Sequence, residues 1–268
     1  MKTVAILGTG PAGLMAAHAC KLAGVPFHLF GLGQKSIMGG AQFLHHAVPL
    51  LHNAEEPEFY IRYRLTGNAR SYAQKVYGNA EIPFVSFNNV FDGEVQPAWS
   101  LQKVYDILWE DIAGGGSSIN EMNIGPVDVV NWIDDGTFGL IVSTVPKQAV
   151  CLSHNMLIQV SHGFWSQMIR VIPECIFDTD LSDNTIMYDG TPNVSWYRTS
   201  RINGIGSTEW GSGAPDTLPY KNIAQLKKPI NTTCSCFEGE VLFTGRHGAW
   251  KKGLLVHHAF TDTWKALQ

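Results

Sequence analysis

Glycines at 8, 10 and 13, the adjacent His45 and His46, and Arg246 set between Gly245 and Gly248 are the residues whose types and spacing could do chemistry. In Gly8-x-Gly10-x-x-Gly13 the first glycine permits a tight turn, the second leaves bare backbone for a diphosphate, and the third lets a helix pack close to a strand. Pro11 and Ala12 complete a helix start whose unpaired N–H groups and positive dipole end suit an anion. Histidine moves protons near neutral pH, so His45 and His46 are candidates for contact with a cofactor or substrate. Arginine offers a planar fork of donors, and the small neighbours of Arg246 leave that fork accessible to an anion.

The flanking elements give these residues their meaning. Val4 to Leu7 is a short apolar strand, and Leu14 to Ala23 is alanine-rich and helical, so strand, glycine turn and helix follow in the dinucleotide-binding order. A second strand, Pro26 to Phe30, should end about twenty residues past the loop in an acid that holds the adenosine ribose. Gly31 stands there instead, and no Asp or Glu precedes Glu55. Gln34, Lys35 or Ser36, or backbone and water, must then make the ribose contact, which counts against ordinary NAD binding.

Ile37-Met38-Gly39-Gly40 resembles the paired-glycine motif that flavoproteins of the amine oxidase and UDP-galactopyranose mutase type carry just past the second strand. Val241-Leu-Phe-Thr-Gly-Arg-His-Gly-Ala-Trp250, running into Gly253-Leu-Leu-Val, is similar to their closing segment. Leu140-Ile-Val-Ser-Thr-Val-Pro146 is similar to their strand ending in a Thr-x-Pro turn. The resemblance implies FAD as cofactor, with contacts from Gly39, Gly40 and Gln42, from Thr144, and from Gly245, Arg246, Lys252, Gly253 and Leu254 around a terminal helix starting near Lys252. It also implies that His45 and His46 run past the flavin ring, and that Arg246 and that helix stabilise negative charge on reduced flavin.

With 268 residues, 45% apolar and 16% charged, the chain suits a globular enzyme, and a net charge of −4 argues against a protein that coats nucleic acid or membrane by charge alone. There is no apolar run long enough to span a bilayer and no signal-like N-terminus, so the sequence reads as cytoplasmic. The five cysteines make no disulfide framework. Cys234-Ser-Cys236 invites a metal or redox reading, yet no second Cys or His pair stands at finger-like distance. The sequence therefore assigns no metal site and reads the pair as a strand edge.

Tyr60 to Lys75 carries Arg62, Arg64, Arg70 and Lys75 with Tyr60, Tyr63 and Tyr72 and no acid. Such a patch could bind phosphate or stack a base, which makes it a possible nucleic-acid contact; equally, its arginines could pair with Glu55, Glu56 and Glu58. Tyr60 to Arg64 alternates as a strand, and Ala69 to Val76 could be a helix. Ser100 caps an amphipathic helix through Ile112 that stops at Gly114. Val127 to Ile133 and Phe138 to Thr144 read as a hairpin about Asp134-Asp-Gly136. Thr185 to Tyr188, Val194 to Thr199 and Ile202 to Glu209 read as antiparallel strands with turns at Asp189-Gly and Asn203-Gly. Substrate is expected near Arg62, Arg64, Tyr197, Arg198, Arg201 and Trp250, under a loop from Trp210 to Pro219.

The expected fold is α/β: a Rossmann-like FAD-binding domain from residues 1–45, 100–150 and 235–268, with an inserted, mainly antiparallel β substrate domain from 46–99 and 151–234. The leading function is an FAD-dependent enzyme acting on a C–N or similar bond of a small polar or nucleotide-like substrate. Three alternatives stand beside it: a non-redox mutase of sugar-nucleotide type; a lyase or oxidase resembling phage flavoproteins that trim amino-acid-modified thymine in DNA; and a non-catalytic dinucleotide sensor. A pyridine-nucleotide reductase is disfavoured because only one glycine loop is present.

Overall fold

The computed structural model describes residues 3–77, 93–173, 181–211 and 224–268. In chain order the elements are β1 (Val4–Leu7), α1 (Pro11–Leu22), β2 (Phe27–Gly31), β3 (Phe59–Gly67), α2 (Ala69–Tyr77), β4 (Val95–Ala98), α3 (Leu101–Asp111), β5 (Ile119–Glu121) and α4 (Pro126–Asp134). They continue with β6 (Leu140–Ser143), β7 (Phe164–Pro173), β8 (Thr185–Gly190), β9 (Trp196–Ile202), β10 (Ile205–Trp210), β11 (Ala224–Thr232), β12 (Val241–Phe243), α5 (Gly245–Gly248) and α6 (Val256–Ala266). The chain forms two compact units, Met1–Ile37 with Leu101–Ser166 and Pro229–Gln268, and Met38–Ser100 with Gln167–Lys228. Residues 38–45 and Ser100 thus fall in the second unit, and 151–166 and 229–234 in the first, where the sequence reading has them the other way.

The first unit is built on a parallel sheet in the order β12-β6-β1-β2-β5. All four residues of β1 are buried, as a central strand covered on both faces requires. From β1 the chain steps outward through β2 to β5, then returns to β6 on the other side of β1. The topological switch, where open α/β sheets bind ligands, therefore lies at the carboxyl ends of β1 and β6. The segment expected as the first arm of a hairpin is the helix α4. Its β-branched residues favour a strand, but Pro126 opens it at the first helical position, the Asp128 carboxylate accepts the Gly125 N–H at 2.8 Å, and Val129 is fully buried. As a helix it supplies the crossover that parallel β5 and β6 need.

The second unit holds a sheet ordered β11-β7-β10-β9-β8-β3-β4, antiparallel at β7/β10/β9/β8 and β3/β4, with β3 parallel to β8. The alternation from Tyr60 is that of β3: Ile61 and Tyr63 are buried while Arg62 and Arg64 face solvent. Asn203 and Gly204, both at positive φ, make the tight β9–β10 turn. Asp189-Gly is not a turn, because β8 runs on to Gly190. Most of the Trp210–Pro219 loop lies outside the described residues. Among those described, no helix is long and apolar enough to cross a membrane.

Candidate dinucleotide-binding site

The β1–α1 loop opens at the switch point with a shape set by its glycines. Gly8 has φ +108°, and a Cβ there would collide with the Thr144 hydroxyl; a Cβ on Gly13 would strike the Gly8 carbonyl. Gly10 is different. A Cβ on it would meet only Ser36 Oγ, at 3.7 Å, so the space before the helix is open. Gly10 is the N-cap of α1, Pro11 follows at the first helical position, and no acid occupies the first turn, which leaves the positive end of the helix dipole uncompensated by carboxylate. These are features a pyrophosphate fits: bare backbone, exposed N–H groups, room and the right field.

Two contacts fix the loop. The N–H and Oγ1 of Thr144, at the end of β6, both donate to the Leu7 carbonyl, at 2.9 and 2.8 Å. Tyr105 on α3 donates its hydroxyl to the Thr9 carbonyl at 3.1 Å and accepts the Ser36 N–H at 2.8 Å, tying the glycine loop to the segment after β2. Tyr105 belongs to the amphipathic helix expected after Ser100, where no site residue was expected.

Gly31 lies tight against Thr9, and Glu121 is its partner in the register of β2 with β5. A Cβ on Gly33 would collide with the Glu121 carboxylate, so an acid from the neighbouring strand lies against the segment that follows β2. Spacing along the chain could not reveal it, because the two strands are joined only by the sheet. Lys35 is committed to Asp106 at 2.5 Å and lies over the Tyr105 ring; Gln34 is exposed.

At the other side of the switch, β12 is followed by buried Thr244, whose Oγ1 donates to Asp262 on α6 at 2.6 Å. Gly248 passes so close to β6 that a Cβ would strike the Ser143 carbonyl, and Gly245, at φ +68°, lies beside Ala12. Three cations gather around this turn. Arg246 donates through Nε and Nη2 to the Pro229 carbonyl, both at 3.3 Å. Burial and the neighbouring Arg246 charge bring the Lys252 ammonium down to about 8. Lys147, which sequence reasoning missed, is buried with its ammonium 4.5 Å from the centroid of the Phe243 ring, and its N–H donates to the His247 carbonyl. Arg246 itself sits in the single turn α5, and the terminal helix starts at Val256, not near Lys252; Gly253 and Leu254 precede it in the connecting loop.

The remaining expected site residues are spread over both units. Trp250 is core of the first unit: 1% exposed, it donates Nε1 to the Trp165 carbonyl and stands edge-on to Phe164. In the second unit, Gly40 at φ +75° passes Ser207 and Val171 at distances that would crowd a Cβ, and Ser207 Oγ accepts the Ala41 N–H. Gln42 bonds back to the Gly39 carbonyl. His45 packs its ring 4.4 Å from Phe43, and His46 is exposed. Tyr197 is buried with Tyr72, Ile169 and Val171. Arg198 is held by buried Glu209, which Lys228 also contacts at 2.7 Å. Lys75 pairs with Asp189 at 3.0 Å. Glu58 accepts the Ser100 N–H at 2.9 Å and faces His52. Arg62, Arg64 and half-buried Arg201 remain on the sheet.

No family model and no curated protein matches the chain. Among solved structures it is similar to reduced UDP-galactopyranose mutase, with a TM-score of 0.58 and 12% identity over 100% of this chain and 93% of that one. A ternary complex of aklavinone-11 hydroxylase with FAD and aklavinone matches with a TM-score of 0.55 and 13% identity over 99% of this chain and 62% of that one. The p-nitrophenol 4-monooxygenase of Pseudomonas putida DLL-E4 gives 0.53 and 11%, over 93% and 74%. The chain has a flavoprotein fold. Within it, the expected Rossmann-like sheet and the inserted, mainly antiparallel sheet are both present.

Proposed function

We propose that this chain is an FAD-dependent enzyme whose cofactor pyrophosphate rests on the N-terminus of α1. The observation that carries this is the open face of Gly10, set at the switch point of a flavoprotein fold while its partners Gly8 and Gly13 are closed by packing. FAD, once bound, would supply the electron chemistry. The chain's own part begins with holding the diphosphate at Gly8–Gly13. Glu121 takes the ribose hydroxyls in place of an acid on β2. Arg246, Lys252 and Lys147 give the β12 turn a positive potential that stabilises negative charge, where a half-buried site strengthens each interaction.

The substrate of this reading is small and polar or nucleotide-like, with reaction at a C–N or similar bond; Arg62, Arg64 and Arg201 are the expected cations of the second unit that would receive an anionic group. A thymine-trimming activity on DNA would use the same exposed arginines. The enzyme would work in the cytoplasm. Non-redox use of the flavin is the second reading, favoured by the likeness to the mutase over 93% of that protein. The cofactor released from purified, folded protein by denaturation identifies itself on chromatography. FAD is expected; NAD, or a colourless protein that FAD cannot reconstitute, overturns the proposal and leaves the sensor.

A further inference from the structure

Outside the dinucleotide site, one buried cluster of the first unit carries chemistry. Cys151 Sγ, His162 Nδ1, Cys234 Sγ and Cys236 Sγ all lie within 4.8 Å of one another. Cys151 Sγ is 3.3 Å from His162 Nδ1 and 4.0 Å from Cys236 Sγ, and Cys236 Sγ is 3.7 Å from His162 Nδ1. A tetrahedral zinc with ordinary bond lengths sets its sulfur ligands about 3.8 Å apart and sulfur and nitrogen about 3.5 Å apart. We propose that Cys151, His162, Cys234 and Cys236 form a structural zinc site in the nucleotide-binding unit.

The surroundings fit bound thiolates. The His154 N–H points at Cys151 Sγ at 3.4 Å, and the Cys236 N–H donates to the Cys234 sulfur, the kind of outer contact that orients and tunes metal ligands. The ligand-bearing segments are held in register without the ion: Gly163, next to His162, accepts the Thr233 N–H at 3.1 Å and the Thr232 hydroxyl at 2.8 Å, and its own N–H donates to Thr233 Oγ1 at 2.9 Å. Asn155 caps the turn after Cys151 by donating to the Cys151 carbonyl at 2.8 Å. Cys234 and Cys236 follow the end of β11, so they are not the strand edge expected from sequence.

Four protein ligands close the coordination shell, which marks a structural ion and leaves no position for substrate. Soft thiolates with one imidazole in a tetrahedron select zinc over magnesium, calcium or manganese. The cage is too tight for a cluster of several irons. Its place gives it a role: the ion joins residues 151–162 to 234–236, the two segments of the first unit that border residues 167–228, which belong to the second. The proposal does not depend on FAD.

Metal content of protein purified under reducing conditions should give one zinc per chain, falling to background in Cys236→Ser and His162→Ala and unchanged in Cys20→Ala, whose thiol lies on α1. Should those variants fail to fold, the wild type answers alone. After zinc is stripped by a chelator, Co²⁺ should bind with the intense visible absorption of a tetrahedral thiolate site, and zinc should restore the lost thermal stability. Folded wild type that holds no zinc and gives no tetrahedral cobalt spectrum overturns the proposal. So does a disulfide between any two of the three cysteines in the reduced preparation, found by mass spectrometry after alkylation.

Discussion

Two groups of cations, one in each unit, lie among different neighbours. In the second unit Arg198 and Lys228 converge on buried Glu209, and Lys75 on Asp189. In the first, Lys252 is half-buried beside Arg246, Arg246 faces a carbonyl, and Lys147 lies on an aromatic ring. A cation matched to a carboxylate holds a sheet together. One placed beside another cation raises the local potential and favours an incoming anion. By that difference, Arg198, expected from sequence to hold substrate, is tied into the sheet of the second unit, and the turn after β12 is the anion site we propose.

The contrast breaks most visibly at Glu209. Burial alone would raise its carboxyl, but Arg198 and Lys228 hold it down to about 2. The folded value lies below the unfolded one, so its contribution is present above about pH 4.5 and is lost as pH falls toward 2. Glu209→Gln should cost about 3–5 kcal/mol in denaturant unfolding, since it strands two cations, and should flatten the acid limb of the stability curve. A loss below about 1 kcal/mol would remove the structural half of the comparison.

A smaller effect is expected at Arg246. Arg246→Lys keeps the charge and loses the fork, so turnover should fall roughly ten- to hundredfold, about 1.5–3 kcal/mol, with a shifted flavin potential and little change in thermal stability. Lost stability with unchanged potential and kcat would make the residue structural. Smaller still is Lys252. Its folded pKa of about 8 lies below the ordinary 10.5, so the cofactor-free protein should gain stability as pH rises between those values, and anion affinity should fall as pH passes 8. Lys252→Met should abolish both trends while weakening FAD binding about two- to fivefold, as suits one half-exposed charge.

The glycine loop was legible because everything it needs is local. Strand, turn and helix start lie within a few residues, and the bare backbone at Gly10 is written directly as glycine. Glu121, Lys147, Tyr105 and the Cys151/His162/Cys234/Cys236 cluster were not legible, because each meets its partner through the sheet or across a long chain separation, 85 residues for Cys151 and Cys236. Trp250 misled for a related reason: an aromatic beside a glycine turn carries no mark of which way it faces, and here it faces the core. The α4 helix was lost to the β-branched residues of its sequence, which outweighed its proline start.

The account stands most directly on the open face of Gly10. Cofactor-free wild type and Gly10→Val should be titrated with FAD side by side, with thermal unfolding of both as a check that each is folded. A branched side chain at Gly10 would occupy the diphosphate's place, so the folded variant should bind no FAD while the wild type binds one equivalent. Stoichiometric FAD in the variant would show that the phosphate lies elsewhere and would contradict the account.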